Sequence, residues 1–90
     1  MDVRTNAGYI ITDSIHIGDV EFVLGVSRED VSMFVTWECV NGGGYCHGHY
    51  MDDLLEAQQD LLKRAGQELA FQRRLLELRK ERPKERESER

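Results

Sequence analysis

From Tyr9 to Ile17 the chain alternates, with Tyr9, Ile11, Ile15 and Ile17 on one side and Thr12, Ser14 and His16 on the other. A period of two marks a strand with one covered face. Gly18-Asp19 is a two-residue turn of the glycine-first kind, after which Val20, Phe22, Leu24 and Val26 resume the alternation over 20–26. Pairing Ile17 with Val20 sets Ile15 opposite Phe22 and Ile11 opposite Val26, so both strands present one apolar face. Asp13 then falls opposite Leu24 on that face, which points to an open patch there or to a β-bulge.

SREDVS over 27–32 reads as a polar connection, and MFVTWECV over 33–40 as a third strand rich in β-formers. Asn41-Gly42-Gly43-Gly44 makes a tight reversal, and 45–51 is a fourth strand. A two- or four-residue loop pairs Val40 with Tyr45, Cys39 with Cys46, Trp37 with Gly48 and Val35 with Tyr50. Val35, Trp37, Cys39, Cys46 and Tyr50 then share the apolar face, with Trp37 central and Gly48 leaving room beneath its ring.

Asp52 and Asp53 supply an N-cap and favourable negative charge for a helix over about 52–80. Leu55, Leu62, Leu69 and Leu76 recur every seven residues, flanked by Leu54, Leu61, Ala65 and Gln72. About 29 helical residues span about 43 Å, whereas a seven-residue strand spans about 23 Å, so the helix outruns the sheet. Its first half, to about Ala65, is expected to cover the apolar face. Phe71, Leu75, Leu76 and Leu78 must then find another surface. Gly66 lies near the changeover and is either a bend or a tolerated helical glycine. Pro83 is expected to end the helix, leaving 81–90 as a disordered charged tail behind a single domain over 1–80.

Ninety residues with one proline and a net charge of −5 allow one small domain. The N-terminus lacks the pattern of a secretory signal and no apolar run spans a bilayer, so the expectation is a cytoplasmic protein with reduced cysteines and no membrane. Residues 1–51 hold two basic residues, Arg4 and Arg28, against seven acids, whereas 52–90 balance ten of each sign. Nucleic-acid binding draws on Lys and Arg, so it is not expected of the N-terminal half, and Glu21, Glu29, Asp30 and Glu38 form a candidate acidic contact surface for a basic protein partner.

Cys39, Cys46, His47 and His49 lie close together around the glycine hairpin and are types that bind zinc. Their C-x6-C-H-x-H spacing is not a standard zinc arrangement, and the register puts the cysteines on one face and the histidines on the other beside Thr36 and Glu38. The prevailing reading is therefore no metal and no cofactor, with a zinc module kept as an alternative. Glu38 across from His47 resembles an oriented base, but an open strand face lacks a pocket, and Gly42-Gly43-Gly44 lacks the lysine and helix start of a phosphate loop, so no enzyme is expected.

At NAGYIITDSIHIGDVEFVLGVS and FVTWECVNGGGYCHGHY the chain resembles small uncharacterised proteins carried on conjugative and other mobile elements of gut Firmicutes, over residues 6 to about 70. Its order of strands then helix also resembles the PC4-type single-stranded-DNA-binding fold, which implies dimerisation through the helix, although the acidic sheet departs from that family's basic one. The reading is an α+β domain, a four-stranded antiparallel β-meander followed by one long C-terminal α-helix packed on one sheet face. Its expected role is a non-enzymatic protein-interaction module of a mobile element, acting as an acidic inhibitor of a host nucleic-acid-binding or defence protein. Its partner, a second copy or another protein, is expected at Phe71, Leu75, Leu76 and Leu78. The alternative is a nucleic-acid-binding accessory protein using Arg73, Arg74, Arg79, Lys80 and Arg82.

Overall fold

Turn chemistry sets the chain's reversals. The computed structural model describes residues 3–88, with side chains as far as Lys80. β1 (Thr5–Asn6), β2 (Tyr9–Ile17), β3 (Val20–Ser27), β4 (Phe34–Val40) and β5 (Tyr45–Met51) form one antiparallel sheet in sequence order, followed by α1 (Leu54–Ser88). The sequence reading of a meander and one helix holds, with β1 added at its edge. Ala7 and Gly8 both take positive φ, 51° and 85°, the geometry of a two-residue turn that joins β1 to β2. Gly18 turns β2 into β3 with φ 59°, and Asn41 and Gly42, at 53° and 71°, begin the turn between β4 and β5.

Two irregularities decide which side chains face which way. In β2 the pairing shifts between Ile11 and Asp13, so Asp13 meets Leu24 and Ile10, not Ile11, meets Val26. One extra residue flips the alternation. Ile15 and Ile17 therefore pack toward the helix, while Tyr9 and Ile11 pack on the opposite face. Five residues, 40–44, separate the last paired positions of β4 and β5, so Cys39 pairs with Tyr45 and Glu38 with Cys46. The register shifts again between Thr36 and Glu38, where His47 takes φ 55°, and Val35 meets Tyr50 as expected. The two odd counts cancel. Cys39 and Cys46 are thus not partners on one face, and Trp37 has no Cα partner in β5.

The result is a sheet with two apolar faces. Toward the helix lie Phe22 and Leu24 against Ala57, Leu61 and Ala65, with Ile15, Ile17, Val20, Phe34 and Met51 around them. On the other face Val23, Val35 and Trp37 are buried against Tyr9, Ile11 and Tyr45. Trp37 is therefore central to the face away from the helix, a correction to the single apolar face expected from sequence. Among the described residues only the sheet itself covers that face, which curls on itself as a half-barrel. Arg4, just before β1, donates to the Tyr45 hydroxyl on β5 at 2.8 Å, joining opposite edges of the sheet. The rings of Tyr9, Tyr45 and Tyr50 stand 5.4–6.3 Å from that of Trp37, edge-on or tilted. Gly48 does lie against Trp37: a Cβ there would meet its Nε1 at 2.8 Å.

α1 begins where the Asp53 carboxylate accepts from the Leu55 N–H at 2.9 Å, an N-cap. Its backbone runs through Pro83 to Ser88, so the stop expected at the proline does not occur; the Lys, Arg and Glu residues on both sides of it are good helix formers. The side chains of the expected tail, 81–90, lie outside the described residues. The packed stripe is Ala57, Leu61 and Ala65, four residues apart. The heptad leucines expected against the sheet face solvent instead, Leu55 and Leu62 at 74% and 64% exposed.

A core on both faces predicts comparable penalties on both. Trp37→Ala should cost about 3–5 kcal/mol and Leu61→Ala about 2–5 kcal/mol in urea unfolding. A loss under about 1 kcal/mol at Trp37 would mean that the half-barrel interior contributes little.

Candidate functional site

Three buried or half-buried polar residues fasten α1 to the sheet. Thr36 is fully buried in the helix-facing side of β4, where its hydroxyl donates to Asp60 Oδ2 at 2.5 Å and accepts from Arg64 Nη1 at 2.9 Å. Arg64 also donates to the Thr36 carbonyl at 3.2 Å, and its guanidinium lies 5.9 Å from the centre of the Phe22 ring. His49, opposite Thr36 on β5, donates from Nδ1 to Asp60 Oδ2 at 2.9 Å. Glu38 Oε1 stands 3.8 Å from Arg64. Burial pushes the Asp60 carboxyl up, but hydrogen bonds from Thr36 and His49 and the charges of His49 and Arg64 outweigh it, holding the group below its ordinary value. The aspartate that orients a histidine here also holds a helix in place.

The four cysteine and histidine candidates are dispersed by the same geometry. Cys39 is buried in β4 on the face away from the helix, and burial pushes its thiol up. Cys46 is exposed, its Sγ donating to the Glu38 carbonyl at 3.2 Å. His47 forms the irregularity in β5 and His49 is committed to Asp60. Among the described residues no three His, Cys, Asp or Glu side chains converge on a metal position. The zinc alternative therefore has no assembled ligand set.

The candidate acidic surface is dispersed as well. Glu21 accepts from Arg4 at 2.7 Å and from Ser14 at 2.6 Å, and the Arg4 hydrogen bond holds its carboxyl below the usual range. Glu38 lies on the opposite face from Glu21, beside Arg64. Asp30 accepts from the Ser32 N–H and hydroxyl within its own loop, and Glu29 donates its N–H to Ser27 Oγ. These four acids do not form one patch.

The distal helix does line a groove. Gln72 Nε2 donates to the Ile17 carbonyl at 2.8 Å and its amide abuts Gly18, the last polar contact between α1 and the sheet among the described residues. Around that point the helix and two hairpin turns enclose an open groove of about 700 Å³, lined by Phe71, Leu75, Leu76 and Leu78 on α1 and by Gly18, Val20 and Val40 on the sheet side. Asp19, Glu68 and Arg79 supply charge at the same groove. The sequence named the four helix residues, and the sheet turns that form the other wall emerge only from the register. No helix among the described residues is long and apolar enough to cross a membrane. Compared with family models, curated proteins and solved structures, the chain matches none.

The network predicts a pH dependence. A carboxyl held below its ordinary value stabilises the fold fully above that value, and the stabilisation is lost as pH falls through the folded-state value. Asp60→Ala should cost about 1–3 kcal/mol at pH 7 by stripping Thr36, His49 and Arg64 of their partner. The gap between variant and parent, read by urea unfolding at stepped pH, should close below about pH 4. A gap that widened in acid would reverse the assigned sign.

Proposed function

We propose that this chain is a non-enzymatic protein-interaction module that seats an amphipathic segment of a partner protein in the groove beside the distal helix. The observation that carries this reading is the exposure of Phe71, Leu75, Leu76 and Leu78, at 46–57%, around a groove that none of the described residues fills. Burying a side chain of this size is worth about 1.5–3 kcal/mol, so four half-exposed ones leave several kcal/mol for a partner to recover. A helix with apolar residues at positions i, i+4 and i+7 fits a groove of this kind, and a basic residue on its flank complements Asp19 and Glu68. A role on a mobile element, against a host nucleic-acid-binding or defence protein, draws on the resemblance and the acidic N-terminal half. Because Glu21 and Glu38 are paired within the chain, the groove rather than the acidic surface is the contact in this proposal.

The nucleic-acid reading has its own support, since Arg73, Arg74, Arg79 and Lys80 are all exposed on the same distal helix. The side chain of Arg82 lies outside the described residues. Phosphate contacts release counterions, so this reading demands binding that collapses with salt.

Two measurements decide between them. Affinity purification from the native host, compared with Phe71→Asp, Leu75→Asp and Leu78→Asp combined, should lose a specific protein with the variant while circular dichroism keeps its strand signal. A gel shift at 50 mM salt should show no DNA or RNA complex at about 10 μM, a concentration covering ordinary non-specific affinities. A complex that disappears by 200 mM salt would replace the protein-binding reading with the nucleic-acid one.

A further inference from the structure

A second leucine row, separate from most of the groove, runs along the opposite flank of the helix. Leu55, Leu62, Leu69 and Leu76 are 46–74% exposed and spaced seven apart, and the first three line neither the sheet nor the groove. Leu62, Leu69 and Leu76 each follow a sheet-facing or groove-lining residue, Leu61, Glu68 and Leu75, by one position, about 100° around the axis. A row at a seven-residue interval stays straight only on a helix that wraps slightly around another helix.

Charge along the same helix is segregated. Asp52, Asp53, Glu56 and Asp60 precede Leu62 with no basic residue among them. Between Leu62 and Lys80 come Lys63, Arg64, Arg73, Arg74, Arg79 and Lys80 against Glu68 and Glu77, and 81–88 add three charges of each sign. Two copies placed side by side in the same direction would set acid against acid at one end and base against base at the other. Reversing one copy sets the Asp52–Glu56 end beside the Arg73–Lys80 end at both ends of the contact and opposes the helix dipoles favourably as well.

Gly66 falls at the centre of that arrangement. A glycine inside a helix is unfavourable relative to alanine, and an added Cβ here would meet nothing within 4 Å, so nothing within the chain calls for it. Turning one copy about the point between Ala65 and Gly66 pairs Leu62 with Leu69 and Leu55 with Leu76 of the other. The residue at the crossing is then the one with no side chain, which allows two helices to approach closely.

We infer that the protein is an antiparallel homodimer, joined through Leu55, Leu62, Leu69 and Leu76 with Gly66 at the crossing. The occupant of this face is a second copy because the charge pattern is complementary to its own reverse. The contact spans about 32 Å of helix and leaves Phe71, Leu75 and Leu78 directed toward the groove, so dimerisation and partner binding share only Leu76.

Sedimentation of the full chain at about 50 μM should report a dimer. Leu62→Glu with Leu69→Glu replaces exposed residues only, so the strand signal should persist while the dissociation constant rises at least about 100-fold, as expected for unpaired carboxylates driven into an apolar seam. Phe71→Asp with Leu75→Asp and Leu78→Asp should leave the dimer intact, which separates a failure of this inference from a failure of the groove reading. Direction is read by disulfide trapping in a Cys46→Ser background. Leu62→Cys mixed with Leu69→Cys should give a crossed species in preference to either self-linked one. A monomer at 50 μM, or efficient self-linking of each cysteine variant with no crossed product, would overturn the antiparallel pairing.

Discussion

A sheet has two faces, and this chain has one helix to cover them. Everything else in the structure follows from that shortage. Leaving Val23, Val35 and Trp37 in water would forfeit one of the sheet's two buried clusters, a large loss for a domain of this size. The sheet meets the problem by curling until Arg4 at one edge reaches Tyr45 at the other, so that its outer aromatic rings close over Trp37. Curling needs strands that change which side they present, and the irregularities at Thr12 and His47 supply it. Glycine at position 48 is a direct consequence, because a methyl group there would collide with the indole.

On the helix side the same economy sets the rotation of α1. Small residues, Ala57 and Ala65, let the helix lie close to the sheet, and Leu61 fills the space between Phe22 and Leu24. Between them come Asp60 and Arg64, which reach Thr36 in the floor beneath. A buried threonine hydroxyl, an aspartate and an arginine that satisfy one another fix the helix in one orientation, since turning it by one residue would leave each without a partner. The leucine row is turned outward as the consequence. Hydrophobicity alone would have placed leucines inward, and here polar complementarity prevails over it.

That competition marks the boundary of what the residues disclose by themselves. Alternation and turn glycines located four strands, the hairpin pairing of Ile17 with Val20 and the long helix, because those depend on local periods. The short β1 escaped because a two-residue strand has no period, although Ala7-Gly8 was a turn signal. Facing directions failed beyond each bulge, since one uncounted residue inverts all that follows and only tertiary packing shows where it sits. Asp13, polar on an apolar face, was the visible trace of the first bulge. The second left none, so Cys39 and Cys46 were aligned where the structure separates them. The distal apolar residues were legible from length alone, as the helix exceeds any strand it can rest on.

The excess of helix has an energetic consequence. A free segment of about 15 residues is marginally helical in water, and beyond Gln72 the sheet contributes no further hydrogen bond among the described residues. Order there depends on the supported half that nucleates it and on whatever covers its leucines. Any protein that binds the helical form and not the frayed one stabilises it in proportion to its occupancy. In the proposed reading the sheet acts as a holder: it offsets part of the cost of forming a helix and presents the remainder to a partner. Affinity at the distal face is then tied to the Thr36–Asp60–Arg64 fastening some two turns away, because loosening the supported half raises the cost of ordering the exposed one. A substitution such as Asp60→Ala, which touches neither the groove nor the leucine row, weakens both contacts through that coupling.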